Sequence, residues 1–440
     1  KNRKQLTYSP YDDMDPIYLP NGRLMFSSTR CRQTVFCAPG SVASLYTMDA
    51  EGKNMRRLSQ GPINETSPSV MNDGRVIYTR WEYVDKGLGN GQALWAIRPD
   101  GSGSDHIFKN NTVWPAGMSS ARSIPGSSAL ITIGGSHHHT ARGSVILVDN
   151  RRTRIGVEPM TTITPEIGYH CMDSMGEFGQ CYDPYPLSET FYLVSKSGGL
   201  YVMDRWGNRA LLYRDPNPEI KCFEPFPLRP RRKPATLAAT QEPAPTPAAR
   251  KQPGTMFVQD VYQGMTGIER GRVKHLRVMG VLPWPWSENG MGWVGPDVHR
   301  KRVYGITKVH EDGSAYFEVP AEENVFFQAL DENYRMLQHM PTFLNLRPGE
   351  SRSCIGCHES RRKAPPQVAK RPQALDHPAQ ALIPLPGDTG PRAIHYMTDV
   401  QPILDKRCIS CHSGDKAEAG LVLTGEPTHD RNRSYENLMG

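Results

Sequence analysis

Asn72-Asp73-Gly74-Arg75-Val76-Ile77-Tyr78, followed by Leu94-Trp95-Ala96-Ile97 and the turn Pro99-Asp100-Gly101, is the stretch that decides the fold. A glycine-containing turn opens an apolar, β-rich run, and a second such run ends in an Asp-Gly turn, which is hairpin chemistry. The same grammar recurs on both sides. Gly22-Arg23-Leu24-Met25-Phe26, Ala129-Leu130-Ile131-Thr132-Ile133 and Thr190-Phe191-Tyr192-Leu193-Val194 each follow a turn rich in proline, glycine, asparagine or serine. A partner run trails each of them: Leu45-Tyr46-Thr47-Met48-Asp49, Val145-Ile146-Leu147-Val148-Asp149 and Leu200-Tyr201-Val202-Met203-Asp204. Leu45 and Leu94 lie 49 residues apart. A period of ~40–50 residues with several short strands per unit is that of a β-propeller blade. Residues 1–224 are therefore expected to form a propeller with about four blades visible, where closed rings have roughly four to eight.

Composition agrees. The 440 residues include 40 glycines and 38 prolines, too many for a helical bundle but short of the ~25–30% that marks low-complexity disorder. No apolar run approaches the ~18 residues of a membrane span. The net charge of +7 is local. Arg229, Arg231, Arg232 and Lys233 sit together, as do Arg361, Arg362 and Lys363, and both groups adjoin proline-rich stretches. Solvated linkers explain this better than a nucleic-acid face, which would interleave arginine with aromatic residues. Residues 225–253 read as a proline-rich tether and 254–363 as a compact antiparallel β domain, its strands near Met256–Tyr262, Val303–Ile306, Ser314–Val319 and Val325–Leu330. Residues 364–394 read as a second proline-rich linker, and 395–440 as a short α-helical segment. The fold class is thus mainly β, with a small helical end. The chain opens without a methionine and stops 28 residues after its last motif, so a piece of a longer protein is expected.

Four of the nine cysteines fall in two strings, Cys354-Ile355-Gly356-Cys357-His358 and Cys408-Ile409-Ser410-Cys411-His412. Covalent attachment of a c-type haem needs two thiols that reach two vinyl groups, with an imidazole placed beside them for the iron. On a helix, positions i, i+3 and i+4 share one face. A zinc ribbon would separate its Cys-x-x-Cys pairs by ~15–20 residues, far less than here. Two covalent haems are expected, held by Cys354, Cys357 and His358 and by Cys408, Cys411 and His412. His339, Met336, Met340, His299 and His310 are candidates for the second axial position of the first haem, and His377, His395 and His429 for that of the second, where a downstream methionine is poorly served because only Met439 remains. Covalent haem implies an exported, periplasmic or equivalent compartment. There, Cys31 could pair with Cys37 and Cys171 with Cys181. Ser136-His137-His138-His139 is either a polar loop or a metal or substrate site. Phosphate-loop, dinucleotide and nucleophile-elbow signatures are absent.

The order of parts carries a resemblance. Tyr182-Asp183-Pro184-Tyr185-Pro186-Leu187-Ser188 is followed by Glu311-Asp312-Gly313-Ser314-Ala315-Tyr316-Phe317 and Phe327-Gln328-Ala329-Leu330-Asp331. Arg347-Pro348-Gly349-Glu350-Ser351 then leads into the first haem motif, and Asp399-Val400-Gln401-Pro402-Ile403-Leu404 into the second. This resembles the hydrazine synthase alpha subunit family, over most of the chain and most specifically over 254–412. The resemblance implies a propeller, a middle domain with a reactive haem, a C-terminal haem with two histidine ligands that relays electrons, and partner subunits or a redox partner protein. In that family a tyrosine four residues after the first motif histidine ligates the iron, while the histidine binds zinc together with a propeller cysteine. Here the tyrosine position holds Arg362, which cannot ligate iron, so His358 is left to the iron in the ordinary way. A zinc ion would then fall to Cys171, with His137, His138 or His139 as alternatives.

Overall fold

The computed structural model describes residues 3–35, 40–82, 91–109, 112–151, 153–154, 156–169, 180–240, 246–283, 300–357, 370–415, 417–429 and 431–439. The expected blades are present, each a four-stranded antiparallel meander. The first comprises β1 (Asp13–Tyr18), β2 (Leu24–Ser28), β3 (Ser44–Met48) and β4 (Arg56–Arg57). The second comprises β5 (Glu65–Val70), β6 (Val76–Trp81), β7 (Gln92–Ile97) and β8 (Asp105–Phe108). The third is β9 (Gly117–Ser123), β10 (Leu130–Gly135), β11 (Gly143–Val148) and β12 (Met160–Thr162). The fourth is β13 (Cys181–Pro186), β14 (Phe191–Lys196), β15 (Gly199–Asp204) and β16 (Arg209–Arg214). Every run read within residues 1–224 is a second or third strand of a blade, each pair lies antiparallel, and the turns after Met48 and Ile97 close the expected hairpins, β3–β4 and β7–β8.

The inner strands repeat a device that the hydrophobic pattern hides. Each carries a bulge, and at it sits a residue in the left-handed region: Asp15 (φ 51°), Ser67 (55°), Ser120 (50°) and Asp183 (46°). Short polar side chains tolerate this conformation because they bond locally. Here they also bond between blades: the Asp15 carboxylate accepts from the Ser67 N–H at 2.9 Å, and the Ser120 hydroxyl donates to Asp183. Neighbouring blades pack through these strands and bury apolar clusters between them, Leu45, Tyr78 and Trp95 in one, Ile133, Val145 and Tyr192 in another. Among the described residues no comparable packing returns the fourth blade to the first, and β16 is exposed along its whole length. Among the described residues the four blades form an open arc.

The tether is not free. It runs back across the arc: Arg229 donates to the Leu187 carbonyl and Arg231 to the Tyr185 hydroxyl in blade 4. Thr236 then meets Pro20 in blade 1, and Thr240 binds Asp100 in blade 2. A Cβ at Gly74 would stand 2.2 Å from the Ala235 carbonyl, so the β5–β6 turn accepts the strap only with glycine. Contrary to expectation the proline-rich stretch also holds one helical turn, α1 (Pro247–Arg250). Proline is tolerated in a first turn, and Thr246 caps it.

The middle domain has two sheets. The first is β17 (Gly254–Val258) between antiparallel β20 (Ala315–Val319) and parallel β23 (Ser351–Cys354). The second orders β22 (Met336–His339), β21 (Asn324–Leu330), β18 (His275–Leu282), β19 (Arg300–Lys308) and β24 (Arg392–Ala393). Their shared core includes Met256, Val278, Phe317 and Val325. The second linker contributes to it: β24 extends the larger sheet, and Ile383 pairs with Ile306. The C-terminal segment holds α2 (Tyr396–Asp399), α3 (Gln401–Arg407) and α4 (Arg433–Met439). No helix of the described residues is long and apolar enough to cross a membrane.

Candidate functional site

The first motif is delivered by a strand, not by the expected helix. β23 runs alongside β17, and the bonds from Gln259 N–H to the Cys354 carbonyl and from Asp260 N–H to the Ile355 carbonyl, both 3.0 Å, extend that register past Cys354. The half-buried Cys354 side chain packs on the middle-domain core. The chain then turns at Gly356, and Cys357 emerges exposed. His358 and Arg362 lie outside the described residues, as do His299, Cys37 and Cys171.

The propeller fixes where this strand enters. The buried Glu350, one residue before β23, accepts from the Gly103 N–H of blade 2 at 2.9 Å and from the Arg347 N–H at 2.8 Å. Arg352 donates to the Ser104 carbonyl at 3.1 Å. Beside them the wholly buried Arg80 stacks on Trp95, pairs with Glu82 at 3.3 Å and reaches Asn345 of the middle domain at 2.8 Å. Thr342 donates to Glu82. Burial pushes the Glu65 carboxyl in this cluster upward, against the pull of Arg80. Arg80 carries no motif, and its only sequence signal is a charge within an apolar strand pattern; Glu350 falls in the 347–351 string of the resemblance, which does not reveal its contact with blade 2.

The second motif meets the expectation of a helical turn. α3 ends at Cys408, and the N–H groups of Cys411 and His412 both bond to the Cys408 carbonyl, at 3.2 and 3.0 Å. His412 Nδ1 lies 3.1 Å from the Leu421 carbonyl. That contact makes Nδ1 the protonated nitrogen and leaves Nε2 as a free donor pair for a metal. Apolar side chains stand exposed on the same small segment: Met397, Ile403, Leu438 and Met439. Among its described residues Leu423 is the single buried apolar side chain, while the centre is polar, with Gln401 receiving the Ser434 hydroxyl and donating to the Leu423 carbonyl. A segment built in this way suits a large apolar prosthetic group, and the donor set Cys408, Cys411 and His412 suits haem.

The axial candidates are dispersed. His339 ends β22 opposite Gln328, Met336 is exposed, and Met340 packs against the Met279–Phe326 cluster. His310 and His377, assigned from sequence to different haems, are neighbours with rings stacked 6.5 Å apart. His377 follows a helical turn anchored to Asp312 and Ser314, so it flanks the middle domain rather than the second motif. His395 occupies the N-cap position of α2 without a side-chain capping bond, and His429 lies exposed on the loop before α4.

His137 is buried, edge-on to Trp81 at 5.1 Å and to His138 at 4.8 Å, and its carbonyl receives Gln92. His139 is on the exposed side of that turn. Among the described residues no three metal-ligating side chains gather. Cys31 and Cys181 are free thiols; Cys31 donates to the Val42 carbonyl, and Cys181 is buried in the core between blades 3 and 4.

An arc of propeller blades, a β domain whose strand presents Cys354 and Cys357, and a coreless segment carrying Cys408, Cys411 and His412 define a propeller protein with two haem-type motifs. Residues 271–359 match the model of the hydrazine synthase alpha subunit middle domain. The resemblance read from the sequence thus holds over the β domain and the first motif. Hydrazine synthase of Kuenenia stuttgartiensis shares the fold at a TM-score of 0.72 and 16% identity, over 94% of this chain and 68% of that one. TolB from Acinetobacter baumannii aligns at a TM-score of only 0.26, with 13% identity over 44% of this chain and 41% of its own. A Mycobacterium tuberculosis puromycin-hydrolyzing peptidase reaches 0.31, with 15% identity over 49% and 33%. No curated protein matches the sequence.

Proposed function

We propose that this chain is an exported dihaem c-type cytochrome of the hydrazine synthase alpha-like type, with redox catalysis at the first haem and electron relay through the second. The observation that carries the reading is the second motif: two thiols one helical turn apart, an imidazole held by Leu421, and apolar surface with almost no core beneath it. Bound there, haem would supply a one-electron centre and the missing apolar interior. Cys408 and Cys411 would anchor it, and the Leu421 carbonyl would hold the His412 ring towards the iron. At the first motif Cys354 and Cys357 would be the anchors and His358 the iron ligand. Glu350 and Arg352 would fix their place against blade 2. Partner subunits or a redox partner protein would complete the path for electrons.

The test is an absorption and resonance Raman spectrum of the full chain, ferric and ferrous, with carbon monoxide added. Two haems per chain are expected, one of which binds carbon monoxide. A protein without covalent haem overturns the whole reading. Two six-coordinate haems that both refuse carbon monoxide overturn only the catalytic part. They would leave an electron-transfer module, the reading that Arg362 favours by removing the family's tyrosine position. Zinc on Cys171, with His137, His138 or His139 as alternatives, belongs to the same proposal. Metal analysis of the Cys171→Ala variant is expected to show its loss, and unchanged zinc content would remove that site.

A further inference from the structure

The strap brings a second guanidinium towards the half-buried one of Arg122. Arg122, on the inner strand of blade 3, faces blade 4 together with its cross-strand neighbour Ile131. Its guanidinium stacks on the Tyr185 ring at 5.4 Å, and its Nε is shut from solvent without a hydrogen-bond partner. Among the described residues its side chain has no ion pair within 4 Å. Arg231 of the strap donates to the Tyr185 hydroxyl at 3.0 Å and lies 4.1 Å from the centre of the Phe226 ring. Phe226 itself stands edge-on to Tyr185 at 5.5 Å. Two cations thus bracket one aromatic pair. Burial, and to a lesser degree Arg231, depress the Arg122 pKa, while Tyr185, Asp183 and Glu224 act the other way. Asp183 is nonetheless committed elsewhere, to the Ser120 hydroxyl and the Glu224 N–H.

A guanidinium nitrogen shut from solvent without a partner is unfavourable, and a second guanidinium close by adds repulsion. Both costs fall if an anion contacts both of them at the edge of the aromatic pair, because guanidinium forks match the oxygens of an oxyanion. We infer that Arg122 and Arg231 form a binding site for a small oxyanion beneath the strap, walled by Tyr185 and Phe226. The strap supplies half of the site, so the ligand would also pin the strap to blade 4. The site is independent of haem.

Calorimetric titration of the full chain with inorganic phosphate, at ionic strength held constant with chloride, tests it. One saturable site per chain is expected. Arg122→Met should weaken it by ~10–100-fold, the worth of a charged hydrogen bond. Arg231→Ala lies on the exposed strap, leaves the blade core untouched, and should weaken binding by ~10-fold. It decides the matter alone if Arg122→Met does not fold. Absence of saturable heat in the wild-type chain overturns the proposal, as does wild-type affinity in either folded variant.

Discussion

At Gly356 the chain has no room for a side chain. A Cβ there would stand 2.5 Å from the Gln263 carbonyl and 2.9 Å from that of Asp260. Both are backbone atoms of the turn that follows β17, so neither can swing away. Gly356→Ala should therefore cost about 1–3 kcal/mol, as overpacking does, and displace Cys357 from its exposed position. Thermal unfolding and, with haem attached at the first motif as proposed, its spectrum would read the two effects. An unshifted melting temperature would mean that the turn gives way freely. Residue by residue, the sequence showed what local chemistry encodes: Cys354, Cys357, Cys408, Cys411 and His412 announce themselves by spacing. It could not show the crowding at Gly356, nor that Glu350 receives the Gly103 N–H, because those contacts join residues about 90 and 250 positions apart.

Among elements, turn-flanked hairpins were legible and edge or crowded strands were not. β18 escaped because Gly280 interrupts its apolar run. The structure supplies the reason: a Cβ at Gly280 would lie 2.3 Å from the Tyr304 ring on β19. β4 and β24 have two residues each, too few to show a period. The tether misled most, since proline richness signals extension but not what an extended segment lies against. Its anchor at Asp100 is testable. Burial raises that carboxyl, but hydrogen bonds from Ser102 and Thr240 outweigh it and hold the pKa below the ordinary 3.8. A depressed carboxylate contributes stability that is present above the unfolded value and lost as pH falls through the folded one. Proteolytic cleavage within 225–240 should therefore accelerate below about pH 4. Asp100→Asn should cleave faster at neutral pH and show less of this acid step. Equal cleavage of variant and wild type at pH 7 would show that Thr240 does not need the charge.

For the molecule as a whole, the decisive asymmetry is between a propeller and β domain with dense apolar cores and a C-terminal segment with almost none. The sequence reads the three parts in order; the lack of a core emerges only when burial is known, since Met397, Ile403, Leu438 and Met439 look like ordinary core candidates. A segment of fewer than 50 residues needs a staple, and here the apolar area it would bury is turned outward. If haem is that staple, removing its anchors should unfold this part alone. In Cys408→Ala/Cys411→Ala, hydrogen exchange in α3 and α4 should accelerate on the order of 100-fold, the haem content should fall by half, and the strands of all four blades should keep their protection. Retained protection in α3 and α4 would mean that the polar centre of Gln401, Asn432 and Ser434 holds the segment together unaided. Loss of protection in the blades would mean that the segment, despite its exposed surface, braces the arc. The predicted pattern, local unfolding with one haem kept, follows only if the two motifs belong to separately stabilised parts.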